Sequence, residues 1–289
     1  MPSNSAGARF REALKQTPLM IPGVFNALTA RIAERAGFRA VYQSGAALSA
    51  GMALPDVGLV NQTEFAEQGA YLTSAVSIPV ISDADTGFGE ALAVERTVAL
   101  FESAGLAGLH LEDQHLPKRC GHLSGKALVT RDEMVSKLKA AVAARRDPSF
   151  VIIARTDARA VEGFDAAVDR AKAYVAAGAD MIFPEALETP DEFGRFAKAM
   201  NVPLLANMTE FGKSPLLSAA ELAKLGYAAV LFPVTTLRIA MKAIESALGQ
   251  IAREGTQKNM LEKMQSRAEL YDLLDYEGFE ERDRNYFGR

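Results

Sequence analysis

Residues 91–111 read ALAVERTVALFESAGLAGLHL, and this stretch decides the fold. From Ala91 to Ala104, Leu92, Val94, Val98, Leu100 and Phe101 alternate with Glu95, Arg96 and Glu102, the spacing of an amphipathic helix. Ala104-Gly105-Leu106 follows, and glycine accepts the left-handed conformation that closes a helix. Then comes a short apolar run, Gly108-Leu109-His110-Leu111, which stops at the charged pair Glu112-Asp113. Helix, glycine stop, apolar strand and polar end make one unit.

The unit recurs along the chain. Seven further apolar runs are Leu19–Val24, Ala40–Tyr42, Val80–Ser82, Phe150–Ala154, Met181–Phe183, Pro203–Ala206 and Ala229–Phe232. The same helix stop returns at Ala36-Gly37-Phe38, Ala177-Gly178-Ala179 and Leu225-Gly226-Tyr227. Strands that are apolar throughout, separated by helices, imply a parallel sheet covered on both faces. Eight such units in about 250 residues predict an α/β chain folded as a (β/α)8 TIM barrel. An open doubly wound sheet is the runner-up, but no Gly-x-Gly-x-x-Gly follows the first strand. No low-complexity linker interrupts the chain, so residues 1–289 are expected to form a single domain. Within it, residues 255–289 make a charged, helix-rich C-terminal arm, packed on its own barrel or on a neighbouring subunit. Leu270, Tyr271, Leu273, Leu274 and Tyr276 are its apolar anchors.

Of the 289 residues, 49% are hydrophobic and 24% charged, which suits a globular protein with a large core. The net charge of -4 offers no basic field to nucleic acid or to an acidic membrane. One cysteine excludes an internal disulfide framework and fits a reducing compartment. No run of 18 apolar residues predicts a membrane span. Met1 to Gln16 lacks a signal-type apolar stretch, and Phe10, Ala13 and Leu14 read as an amphipathic first helix. The expected location is the cytoplasm.

In a barrel of this kind the active site gathers at the C-terminal ends of the strands. Polar residues stand there after nearly every run: Ser44-Gly45, Asp83-Ala84-Asp85, Glu112-Asp113-Gln114, Arg155-Thr156-Asp157, Glu185, Asn207 with Thr209, and Thr235, Thr236 and Arg238. Asp83 and Asp85 are two apart, so on extended backbone both would point the same way. Like charges held together need a cation between them. With Glu112 they form an all-oxygen group suited to Mg²⁺ or Mn²⁺, against the plainer reading that the two aspartates cap a turn. Arg155 and Arg238 can each clamp a carboxylate or form a structural salt bridge, for Arg155 with Glu185.

The segment Leu116–Lys126 holds the lone Cys120, together with His122, Lys118, Arg119 and Lys126 among glycines and a proline. That composition is a loop. Cations beside a thiol lower its pKa, so a reactive, loop-borne cysteine is expected. Cys120 and His122, two apart, are not a dependable catalytic pair.

Ser44-Gly45, the run Asp83–Gly89, His110–Gln114 and Lys118-Arg119-Cys120-Gly121-His122 together resemble the isocitrate lyase / phosphoenolpyruvate mutase superfamily. Ala154–Ala158, Phe183–Ala186, Ala206–Gly212, Gly255–Lys258 and Met264–Arg267 extend the resemblance over almost the whole chain. It looks most similar to the 2-methylisocitrate lyases, and the Lys-Arg-Cys-Gly-His run is that of the carbon–carbon lyases. The resemblance implies Mg²⁺, a homotetramer with C-terminal helices exchanged between subunits, and a small 2-hydroxy carboxylate as substrate. It implies that Ser44, Gly45, Ala46, Cys120, Gly121, Arg155, Glu185, Asn207, Thr209, Arg238 and Arg267 contact substrate, and that Asp83 and Asp85, with Glu112 nearby, hold the metal. The expected reaction is retro-aldol-type cleavage of 2-methylisocitrate to pyruvate and succinate. Cys120 is the expected general acid, and Arg155 stabilises developing charge. The base stays open between Glu112, Tyr42 and a metal-held water. Ala46-Ala47 and the loop to Pro55-Asp56 depart from close relatives, which leaves 2,3-dimethylmalate cleavage as the alternative and oxaloacetate chemistry as a further one.

Overall fold

The computed structural model describes residues 4–123 and 125–288. Eight strands appear in the described chain: β1 (Leu19–Val24), β2 (Val41–Gln43), β3 (Val80–Asp83), β4 (Gly108–Glu112), β5 (Val151–Thr156), β6 (Met181–Pro184), β7 (Leu205–Asn207) and β8 (Ala229–Phe232). Each lies within one or two residues of an expected apolar run. The helices are α1 (Ala6–Leu14), α2 (Ala27–Arg35), α3 (Gly45–Gly51), α4 (Gln62–Ala75), α5 (Ala91–Ser103), α6 (Arg131–Ala144), α7 (Phe164–Ala176), α8 (Pro190–Lys198), α9 (Ala219–Lys224), α10 (Thr235–Glu254), α11 (Arg267–Leu273) and α12 (Tyr276–Phe287).

All strand pairs are parallel, in the order β6-β5-β4-β3-β2-β1-β8-β7. A single parallel bridge, Ile182 to Leu204, joins β6 to the start of β7 and closes the ring. The chain is therefore a (β/α)8 barrel, as the alternation of runs and helices required. The four glycine stops, Gly37, Gly105, Gly178 and Gly226, all have positive φ. Helix starts are equally explicit in the sequence. Asn61 with Glu64, Thr130 with Glu133 and Ser218 with Glu221 form capping boxes on α4, α6 and α9. Each box satisfies backbone N–H groups that the first turn leaves free, worth about 1 kcal/mol per cap.

Alternation along the strands sorts the core into two layers. Ile21, Tyr42, Ile81, Ile153, Phe183, Leu205 and Leu231 fill the barrel, and Phe10 and Ala13 of α1 join them. Val41, Val80, Leu109, Leu111, Ile152, Ile182 and Val230 face the surrounding helices. The inner face changes character near the C-terminal ends: Ile81 is followed two residues later by Asp83, His110 by Glu112, Ile153 by Arg155, Phe183 by Glu185 and Leu205 by Asn207. Period-two geometry keeps those five polar side chains on the inner face.

The chain divides into two compact units, Met1–Leu237 and Arg238–Arg289. In the second, Met260 and Leu273 are buried and Tyr271 stacks on Tyr276 with ring centroids 4.6 Å apart. Among the described residues no helix is long and apolar enough to cross a membrane.

Candidate active site

The strand ends bring together Tyr42, Asp83, Glu112, Arg155, Glu185 and Asn207, with Lys118, Gly121 and His122 contributed by the segment after β4. Register explains the assembly: Asp83 lies opposite His110, and Glu112 opposite Arg155, on paired strands.

Asp83 is buried. Its Oδ1 accepts the Asp85 N–H at 2.9 Å, and its Oδ2 accepts the Tyr42 hydroxyl at 3.2 Å. Tyr42 Oη also lies 2.8 Å from His110 Nε2. One phenolic proton cannot serve both neighbours, so with Tyr42 donating to Asp83 the imidazole donates from Nε2. Burial pushes His110 down to about 4, so the ring is neutral at pH 7. Asp83 sits below the usual carboxylate range although burial opposes it; with His110 uncharged, Lys118 and Arg155 supply the positive field. Burial, and then Asp83, hold Tyr42 well above the ordinary phenol value. Gly45 is required here, because a Cβ would fall 2.6 Å from Asp83 Oδ2.

Asp85 corrects the extended-strand expectation. β3 ends at Asp83, and Asp85 turns into the left-handed region with φ 44°. The two carboxylates are neighbours through a turn, not through strand alternation. The cation beside them in this structure is Lys118, whose Nζ lies 2.7 Å from Asp85 Oδ1 and also bonds Asp56. Burial, and then Asp83, push Asp85 up to about 7. Glu112 lies far above the usual range, through burial and against the pull of Arg155 and Lys118.

Arg155 does form the structural bridges that were one of its two readings. Nε and Nη2 fork onto Asp157 at 2.9 and 3.2 Å, while Nη1 lies 3.3 Å from Glu112 and 3.4 Å from Glu185. Its guanidinium also sits over the Phe183 ring, 5.1 Å from the centroid. Burial alone would raise Glu185, but Arg155, then His122 and Lys126, hold it well below the carboxylate range. Asn207 Nδ2 donates to the same carboxylate at 3.2 and 3.3 Å.

The segment after β4 is pinned at its base by an antiparallel bridge between Gln114 and Leu128. Its tip lies on the strand-end cluster: a Cβ at Gly121 would collide with Arg155 Nη2 and with Glu185. Gly121 is thus a point of close backbone approach. Cys120, exposed at the tip, departs from the expected thiolate. Although the residue is exposed, desolvation of its sulfur by the surrounding atoms raises its pKa, with Glu185 adding to the rise, and the His122 N–H and Arg155 do not offset it. Lys118 and Lys126, expected to activate it, are turned to Asp56 and Asp85 and to Gly121 and Asp157. His122, as anticipated, does not pair with the thiol through its ring. Nδ1 accepts the Lys213 N–H at 2.9 Å, which leaves the ring proton on Nε2, 2.7 Å from Glu185 Oε1.

The remaining expected residues are not part of this cluster of contacts. Ser44 caps α3 by accepting the Ala47 N–H, and Ala46 packs on Ala47, Val234 and Leu237. Thr209 is half-buried just after β7. Thr235 and Thr236 spend their hydroxyls on Glu210 and on the Gly23 carbonyl. Arg238 and Arg267 lie in the second unit, exposed near the starts of α10 and α11. Asp56 and His110 were not singled out as site residues from the sequence, and Lys118 and Asp157 were named there only as a neighbour of the thiol and as a strand-end residue. Lys118 and Asp56 are 62 positions apart, and only the fold pairs them.

Asp83, Asp85 and Glu112 offer oxygen alone, and the buried Glu112 Oε1 has no hydrogen-bond partner among the described residues. Among those residues no three Asp, Glu, His or Cys side chains converge as a complete cage. That donor set fits Mg²⁺, which takes one or two carboxylates and keeps several waters.

Residues 10–252 match the family described as phosphoenolpyruvate phosphomutase. The chain belongs to the phosphoenolpyruvate mutase/isocitrate lyase superfamily. A 2-methylisocitrate lyase of Aeropyrum pernix is 52% identical over 283 residues, covering 98% of this chain and 91% of that protein. Among solved structures, a 2,3-dimethylmalate lyase of the superfamily superposes with a TM-score of 0.92 at 34% identity, covering 98% of this chain and 95% of that one. A phosphonopyruvate hydrolase in complex with oxalate and Mg²⁺ gives a TM-score of 0.89 at 34% identity, with 98% and 99% covered. Within the superfamily the chain is a lyase and groups with the 2-methylisocitrate lyases.

Proposed function

We propose that this lyase cleaves 2-methylisocitrate to pyruvate and succinate with Mg²⁺ as cofactor. The observation that carries the reading is the seating of the Cys120 tip on Arg155 and Glu185, beside a buried carboxylate group with an oxygen that has no hydrogen-bond partner among the described residues. Similarity to the A. pernix 2-methylisocitrate lyase at 52% identity, against 34% for the 2,3-dimethylmalate lyase structure, supports the tricarboxylate as substrate. Asp83, Asp85 and Glu112 would hold the metal, which when bound polarises the hydroxyl and the new carbonyl as a Lewis acid.

In this reading the substrate hydroxyl loses its proton to Glu112, which a bound cation would keep ionised, or to a water held in that group; Tyr42, whose proton is bonded to Asp83, would serve only after passing that proton on. The C2–C3 bond then breaks, and its electron pair passes to the succinate half as an aci-carboxylate while pyruvate forms its carbonyl. Arg155 and the Asn207/Thr209 pair supply positive charge and donors where the negative charge collects. The Cys120 thiol, kept protonated by its surroundings, delivers its proton to that carbon as general acid. Ser44, Gly45, Ala46, Gly121 and Glu185 line the substrate. The assembly proposed is a cytoplasmic homotetramer.

The test is pyruvate release from a panel of 2-hydroxy di- and tricarboxylates, with Mg²⁺ and with chelator. One succinate per pyruvate from 2-methylisocitrate, abolished by chelator, is the expected result. Faster turnover of 2,3-dimethylmalate would replace the substrate, and silence across the panel would sink the reading. Cys120→Ser is expected to keep substrate binding while turnover falls by roughly 10²–10⁴-fold, the usual weight of a general acid.

A further inference from the structure

Cys120 is bracketed by two fixed backbone points. On its N-terminal side the Gln114 amide clamps Arg119, donating to the carbonyl at 2.8 Å and accepting the N–H at 3.0 Å. On its C-terminal side the buried Lys126 ammonium donates to the Gly121 carbonyl. The same Nζ lies 2.6 Å from Asp157 Oδ1, and both side chains are sealed from solvent, at 1% and 0% exposure. Asp157 is the carboxylate onto which Arg155 forks. Its own backbone N–H is fixed by Asp113 Oδ1 at 2.8 Å. One carboxylate thus aims the guanidinium on the barrel floor and, through Lys126, anchors the backbone of the thiol-bearing tip above it.

We infer that Lys126, acting through Asp157, is a positioning residue that holds the Cys120 tip in register with Arg155. A lysine suits this task. It brings a second donor to a carbonyl while neutralising a carboxylate that Arg155 alone would share with Glu112 and Glu185. Buried charge pairs of this sort fix geometry more than they add stability. Lys126 touches no reacting atom in this arrangement; its effect reaches the chemistry through where Cys120 stands. The inference rests on the proposed acid role of Cys120 for its kinetic part, but its geometric part does not.

The test is Lys126→Met, which keeps the side-chain stem and removes the charge. Cys120 is the only thiol, so alkylation of the free protein by iodoacetamide, well below the unfolding temperature, reports the tip alone. Labelling is expected to quicken about fivefold or more, and kcat for pyruvate release to fall about 10–100-fold with KM within about threefold, the scale of a misplaced catalytic group. Lys126→Arg is expected to restore part of kcat. Labelling within twofold of the unsubstituted protein overturns the inference, and so does faster labelling with unchanged kcat. If Lys126→Met does not fold, Asp157→Asn, which removes the charge that aims Lys126 at the Gly121 carbonyl, is read by the same labelling assay. If no compound is turned over, the proposed reaction fails, while the labelling rate still decides for or against the tie.

Discussion

Two consecutive carboxylates at the end of β4 live in opposite company. Glu112 faces the barrel interior with Oε2 3.3 Å from Arg155 and Oε1 without a hydrogen-bond partner among the described residues. Asp113 faces the helices, and its acceptors are filled: the Asp157 N–H at 2.8 Å, the Thr156 hydroxyl at 2.8 Å, the Tyr174 hydroxyl at 2.7 Å and Arg170 at 3.5 Å. Arg170 is itself braced by Glu162 and the Val129 carbonyl. Burial pushes both carboxyls above the usual range, so desolvation does not distinguish them. Completion does. A buried polar group whose partners are all present belongs to the scaffold, and one left short of a protein partner on the inner face is the better candidate for a functional role.

That contrast can be broken by exchanging each carboxylate for its amide. Glu112→Gln is expected to cost roughly 10²–10³-fold in kcat, the size of one lost preorganised electrostatic contact. Its melting temperature should stay close to that of the unsubstituted protein, since the group it replaces was incompletely satisfied. Asp113→Asn reverses the pattern. Losing a charged acceptor from a filled network costs about 2–3 kcal/mol, which lowers Tm by roughly 5–10 °C in a domain of this size. Its kcat should fall less than that of Glu112→Gln. Calorimetry and pyruvate release on the same two preparations decide the matter; equal Tm losses would erase the distinction.

The smallest effect concerns the thiol, which unlike either carboxylate belongs to an exposed residue. A raised pKa means that the proton stays on Cys120 through neutrality and leaves only above the ordinary thiol value of about 8.5. Iodoacetamide labelling, which needs the thiolate, should therefore climb with pH through a midpoint above that value. Catalysis by the protonated form should decline over the same alkaline interval. A midpoint below the ordinary value would return Cys120 to the thiolate expected from its cationic neighbours.

The fold was legible because buried parallel strands announce themselves as continuous apolar runs, and because Gly37, Gly105, Gly178 and Gly226 mark helix ends. The inward polar residues Asp83, Glu112, Arg155, Glu185 and Asn207 were legible once the barrel was assumed, since each stands at a strand end. Other parts were not. Asp85 has a left-handed backbone that no spacing rule predicts for an aspartate. Lys118 and Lys126 read as activators of a neighbouring thiol, yet each is consumed by a carboxylate distant in sequence, Asp56 and Asp157. Local composition describes which charges surround a cysteine along the chain. It does not say which of them the tertiary structure spends elsewhere.

The bare backbone at Gly121, resting on Arg155 and Glu185, carries a consequence for tempo. At that point there is no headroom between tip and floor even for a methyl group. If the proposed reaction runs beneath this tip, each cycle would need the stretch to lift and reseat, and its opening frequency would be a ceiling on turnover however fast the bond breaks.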